Sequence, residues 1–327
     1  MAVVSSTGTL SFFELVPRSE RDAATLKEIF THRPLGEDNG VLFLSCAWHP
    51  SLPDLLAITT SNYEVHVLRV DSALGVSKTR EEPVMTHNLE AWTVAFSPFL
   101  TAHHPDASGQ DLGQSHSITI LSGGDDSKLL STTCVYHPSH LTDDGEAIQT
   151  PYPITTFRGH EAGVTAILPL ALKFTDNSSV VVTGSYDDHL RVYRVYSEEG
   201  CFETRRPSIV AENNLGGGVW RLKLIKLEEK GAETSSDSKG RWMALILASC
   251  MHAGCRVLEV SGNYEEEHCQ INVMARFEEH KSMNYGSDFQ PGSGHQLSGK
   301  ALRCISTSFY DRLLCVWDFD VAHGRVN

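Results

Sequence analysis

The sequence predicts an all-β protein built from repeated antiparallel hairpins, and three observations carry that prediction. Residues 180–195, VVVTGSYDDHLRVYRV, read as an apolar β-branched strand, an Asp-containing turn and a returning strand of alternating character. The same pattern recurs along the chain, and repeats of this kind decide the fold before any single motif does. Each full hairpin is also preceded by one more strand-like segment, so the unit is larger than a hairpin.

The elements follow in order. VVSSTGTLSFFEL (3–15) is a partial copy of the hairpin with no strand ahead of it. LFLSCAWHP then leads into LLAITTSNYEVHVLRV, and AWTVAFSP into ITILSGGDDSKLLSTT. GVTAILPL precedes the 180–195 hairpin, GVWRLKLI precedes ALILASCMHAGCRVLEV, and NYGSDFQP precedes RCISTSFYDRLLCVWDFD. Aligned on their turns, Thr7, Asn62, Asp126, Asp187, His252 and Asp311 are equivalent, 55 to 65 residues apart. A minimal WD repeat has about 40–45 residues, so the units must carry insertions. The polar stretches 101–117, 226–240 and 287–300 are the evident ones. His87, the Arg158-Gly159-His160 step and Glu279-His280 stand ahead of the leading strands, and Val316-Trp317-Asp318 ends the series. With these residues the chain resembles the WD-repeat β-propellers, one domain over 1–327. That resemblance implies seven blades at full length. Five units and a fragment are present, so an N-terminal segment is expected to be missing, because an unclosed ring leaves strand edges unpaired.

Composition narrows the function. With 41 acidic and 27 basic residues the formal charge is −14, which opposes binding to a phosphate backbone and favours a cationic partner. Eight cysteines include no C-x-x-C pair; neither a zinc ribbon nor a disulfide framework is expected, and reduced thiols suit the cytoplasm. The N-terminus lacks a basic n-region, and no apolar run is long enough to span a bilayer. Metal binding by His103 and His104 lacks a spaced third ligand, so no metal is expected.

Two departures from the repeat stand out. His252 replaces the turn Asp in Ser249-Cys250-Met251-His252-Ala253-Gly254. It is either a tolerated polar substitution in a degenerate repeat or a titratable base on the binding face. Gly216-Gly217-Gly218 stands where other units have Gly-His. This is either a loop that needs positive φ or a set of backbone donors for an oxyanion. G-x-G-x-x-G, the P-loop and the G-x-S-x-G elbow are all absent.

Gly123-Gly124-Asp125-Asp126, the 184–189 turn, Gly216 to Arg221, Cys250 to Gly254, Ser308 to Asp311 and Glu90-Ala91-Trp92 are similar to segments of the diphthine methyl ester hydrolase family, also called diphthine methyltransferase. The likeness spans roughly residues 45–318. It implies hydrolysis of a methyl ester on a modified histidine of translation elongation factor 2, without a cofactor, before the final amidation of diphthamide biosynthesis. No nucleic-acid or membrane partner is expected, and the chain is expected to act as a monomer. Such a substrate pairs a quaternary ammonium with an ester. Trp92, Trp220, Tyr186, Tyr285 and Tyr310 are then candidates for holding the cation, with Arg221, Asp188 and Glu90 beside them. Each aromatic has packing between blades as its ordinary alternative. His252 or His189 would activate water, Asp187 or Asp311 would orient the imidazole, and the 216–218 amides would receive the oxyanion. For Asp126, Asp187 and Asp311 the plainer role is to hold the turn. A covalent route through Ser249, Cys250 or Ser308 is a weaker alternative. The competing functions are a non-catalytic scaffold and a reader of methylated ammonium groups.

Overall fold

The computed structural model describes residues 1–17, 24–36, 40–103, 115–138, 146–196, 206–230, 240–266, 268–290, 301–320 and 325–326. Among them every regular element is a β-strand, and no helix is long and apolar enough to cross a membrane. The strands form six successive antiparallel sheets, the blades of an all-β propeller-class fold. The first sheet has three strands, Ala2–Val4, Leu10–Val16 and Thr25–His32. The fourth is the plainest blade: Val164–Lys173, Ser178–Ser185, His189–Tyr196 and Ser208–Asn214, hydrogen-bonded in chain order. The fifth repeats it with Arg221–Lys230, Arg241–Ser249, Cys255–Asn263 and Gln270–Phe277. The sixth comprises Asn284–Phe289, Ala301–Ser308, Leu314–Asp320 and Arg325–Val326.

The described chain forms two compact units, Met1–Arg158 and Gly159–Asn327. In the first unit, Leu55–Thr60 is buried on both faces. Leu55 and Ala57 join one apolar cluster with Val94, Phe96 and Ile118, while Leu56 and Ile58 join another with Leu10, Phe12 and Phe43. In the second unit Arg241–Ser249 does the same. Trp242, Ala244, Ile246 and Ala248 pack with Val180, Val182 and Val192; Leu245 and Leu247 pack with Cys304, Trp317 and Phe319. A strand sandwiched between sheets reads as a continuous apolar run, and each buried Leu or Ile contributes about 1.5–3 kcal/mol.

The stretch 226–240, expected to be a polar insertion, begins as strand: Lys226 to Lys230 pair with Leu245 to Arg241. The core of the 101–117 insertion, the 291–300 segment and His104 lie outside the described residues.

Candidate functional site

Three of the hairpin turns share one device. Asp187 accepts from the Glu161 amide at 2.9 Å, from the His189 amide at 3.0 Å and from Arg191 at 2.7 Å. Asp126 likewise accepts from the Asn88 amide at 2.9 Å, and Asp311 from the Lys281 amide at 3.0 Å and the Ser282 hydroxyl at 3.1 Å. Each carboxylate thus ties its own turn to the residue after His87, His160 or His280. Burial would raise the Asp187 carboxyl, but the amide and Arg191 bonds outweigh it and hold its pKa below the ordinary value. The Ser308 hydroxyl, with the Lys281 and Ser282 donors, pulls Asp311 down to about 2. His160 bonds Thr183 at 3.1 Å and Arg191 at 3.1 Å. Desolvation, then the Arg191 charge, lowers it to about 4, so it is neutral.

The fifth sheet lacks both members of this pair. Its register, Ser249 opposite Cys255 as Gly184 is opposite Leu190, puts His252 at the Asp187 position. Close packing replaces the bridge. A Cβ on Gly217 would lie 2.4 Å from the Cys250 carbonyl oxygen and 2.9 Å from the Ala253 Cβ, and one on Gly218 would lie 2.6 Å from the Met251 sulfur. The glycine loop and the His252 turn are therefore in contact. Arg256 supplies the remaining hold. Buried at the register of Arg191, it donates to the carbonyls of Ala253 at 2.6 Å and Cys255 at 3.0 Å, and it pairs with Glu278 at 2.8 Å.

The glycines differ in what their amides do. Gly216, at φ +83°, donates to Asn214 Oδ1 at 2.9 Å, which removes it from the expected oxyanion donors. The amides of Gly217 and Gly218 donate to no protein acceptor among the described residues. His252 is exposed and has no side-chain partner among the described residues. His189 is held: its Nδ1 bonds the Asp187 carbonyl at 2.6 Å and lies 3.6 Å from the Asp187 carboxylate. Its Nε2 is then the basic nitrogen.

Beside these groups runs a row of rings. Tyr186 and Trp220 have centroids 5.4 Å apart, Trp220 and Tyr285 5.1 Å, Tyr285 and Phe309 6.3 Å, and Phe309 and Tyr310 5.2 Å. Two register positions of the repeat build it. Trp220 stands just before the first strand of the fifth sheet and Tyr285 in the bulge near the start of that of the sixth, while Tyr186 and Phe309 each follow the serine at a hairpin turn. Tyr186, Trp220 and Tyr285 are half-buried; Phe309 and Tyr310 are 68% and 71% exposed. The Arg221 guanidinium lies 5.3 Å from the Trp220 ring and donates to the Thr165 and Trp220 carbonyls, so it braces the indole. Its burial lowers its pKa, against the Tyr186 contribution. Asp188, at φ +67°, is half-buried in the turn that carries Tyr186. Phe309 is absent from the sequence expectations, although its turn motif is not.

Glu90 and Trp92 belong to the first unit. The Trp92 indole donates to Asp125 at 3.0 Å, and the Asp125 amide to the Glu90 carbonyl at 2.8 Å. Trp92 thus holds the turn register that Tyr186 occupies in the fourth sheet.

The nucleophile alternatives are closed off by burial. Ser249 and Cys250 are fully buried, Ser308 is 5% exposed, and desolvation pushes the Cys250 thiol up to about 12. No group of three or more His, Cys, Asp or Glu side chains is placed to hold a metal among the described residues.

The WD domain, G-beta repeat model matches residues 151–194. A Schizosaccharomyces pombe protein named diphthine methyltransferase is 26% identical, over 97% of this chain and 74% of its own. A Dictyostelium discoideum diphthine methyltransferase homolog is 24% identical, over 97% of this chain and 72% of its own. For the Mus musculus diphthine methyltransferase, also 24% identical, the match covers 88% of this chain but 49% of the mouse protein. Among solved structures, Chaetomium thermophilum Sqt1 bound to the N-terminus of ribosomal protein L10 has a TM-score of 0.50 at 13% identity, over 99% of this chain and 70% of that one. A likeness at that identity speaks to the fold alone.

Proposed function

The chain belongs to the WD-repeat family of the proteins named diphthine methyltransferase, and on that premise we propose that it acts in diphthamide biosynthesis as a methyl esterase. Its substrate is the methyl ester of methylated diphthine on translation elongation factor 2, which is cleaved to the carboxylate. The single observation that carries this reading is the ring row from Tyr186 to Tyr310 beside the His189 turn and the Gly217–Gly218 amides.

A trimethylammonium group has no N–H to donate, so aromatic faces and diffuse negative charge are what can hold it. The ring row supplies the faces, and Asp188 the charge. Held there, the ester is attacked at its carbonyl carbon by water. His189 Nε2 takes the water proton, while its Nδ1 bond to the Asp187 carbonyl fixes the tautomer and the ring. The oxyanion of the tetrahedral intermediate receives the Gly217 and Gly218 N–H groups, each such donor being worth about 2.7–4 kcal/mol. As the C–O bond to the methoxy group breaks, the imidazolium returns the proton, and methanol and the carboxylate leave. In this scheme His252 is secondary, because no carboxylate orients it. Asp187 and Asp311 act through the turns they hold.

A second reading is favoured by the relatives' printed name: transfer of a methyl group rather than its removal. Reaction in 18O-labelled water separates the two. Ester hydrolysis puts one labelled oxygen in the product carboxylate and none in methanol; methyl transfer puts label in neither.

A further inference from the structure

The unit Met1–Arg158 holds a cavity that the reading above leaves unused. It has a volume of about 260 Å³ and lies where the Gly8 turn of the first sheet meets the second sheet, lined by Glu64, His66, Lys78, Glu81 and Glu82. At about 30 Å³ per water it has room for a side-chain head group together with several waters.

Its polar groups are arranged for a donor-rich cation. His66 is 94% buried by its 6% side-chain exposure, and its Nε2 bonds Glu64 Oε2 at 3.0 Å. Asn62 Nδ2 donates to the same oxygen at 2.9 Å. An ionised carboxylate only accepts, so His66 gives Glu64 its Nε2 proton, and Nδ1 of the neutral imidazole is a lone-pair acceptor. Neither His66 Nδ1 nor Glu64 Oε1 has a protein partner among the described residues. The one lysine of the lining is already engaged, with Lys78 Nζ on Glu81 Oε1 at 2.9 Å. Glu64 and Glu82 thus have no lysine or arginine partner among the described residues, and Glu64 lies beside the imidazole.

We propose that this cavity binds a guanidinium group. A planar fork of N–H donors matches Glu64 Oε1 together with His66 Nδ1, and Glu82 completes the charge. A quaternary ammonium has no donor for these acceptors, and a carboxylate or phosphate would be repelled. The guanidinium belongs either to a free small cation or to an arginine side chain of a protein partner.

Titration of the isotopically labelled full chain, read on the His66 imidazole resonances, tests this. The probes are argininamide, the amide of Gly-Arg-Gly, and citrullinamide, the neutral isostere of the first; His66→Gln assigns the signals. Argininamide or the peptide should move the His66 resonances saturably, while citrullinamide does not. Glu64→Gln and the surface variant Glu82→Gln should each weaken binding by about tenfold, the loss of one charge-assisted contact. Tighter binding of the peptide assigns the site to a protein arginine, and equal binding assigns it to a free guanidinium. Citrullinamide binding equally well, no probe moving His66, or unchanged affinity in both glutamate variants would overturn the proposal.

Discussion

Gly217 rests against Cys250 so closely that a Cβ would stand 2.4 Å from the Cys250 carbonyl oxygen. Backbone cannot withdraw as a flexible side chain can, so Gly217→Ala forces the loop off the His252 turn. It should cost about 1–3 kcal/mol in urea or thermal unfolding, in the range of overpacking substitutions. Gly216→Ala meets nothing within 4 Å and pays only for its φ of +83°, about 1–2 kcal/mol. Equal stability of the Gly217 variant and the parent would mean that the two segments are not pressed together.

Trp220→Ala removes a ring that touches both Tyr186 and Tyr285. Loss of one cation–π face, about 0.5–2 kcal/mol, raises KM for the modified factor about 2- to 30-fold with a smaller change in kcat. Trp220→Phe should fall between, since it keeps a face. Unchanged KM in the alanine variant would take the ring row out of substrate binding.

The two histidines separate in the opposite parameter. His189→Ala should lower kcat by about 100- to 10,000-fold, the usual contribution of a positioned general base, whereas His252→Ala should stay within a few-fold of the parent. Steady-state kinetics on both variants decide this, and a reversed order would move the base to His252.

Much of this arrangement is legible in the sequence, because the repeat is read by register. Asp126 and Asp187 fall at one turn position, and the leading strands fall where the motifs put them. Phe309 was hidden by a single extra residue. Thr307 faces Leu314 across a loop one residue longer than that between Gly184 and Leu190, so counting back from Asp311 selects Tyr310, while the strand register selects Phe309. Arg256 was hidden for another reason: a buried arginine that donates to carbonyls leaves no spacing signature, whereas an aspartate at a hairpin turn does. The strand extension to Lys230 was masked by the polar residues on its outer half.

Acid should destabilise the unit Gly159–Asn327 in two steps. His160 is lowered from 6.5 to about 4, so the unfolded chain takes up its proton first, and stability falls as pH drops from about 6.5 to about 4. Asp187 is depressed below 3.8, so its contribution is present above about pH 4 and is lost as pH falls through its folded value. Unfolding of the parent and of Asp187→Asn should therefore differ at neutral pH, by about 1.5–3 kcal/mol for a charged hydrogen-bond set, and converge in acid. A constant difference at every pH would contradict the assignment.

Ester hydrolysis is read from the mass of methyl-esterified, diphthine-bearing elongation factor 2, followed with the purified chain and no added methyl donor. The expected result is loss of one ester methyl with release of methanol, abolished by His189→Ala. A substrate whose mass does not change, or one that gains a methyl when a donor is supplied, would contradict it.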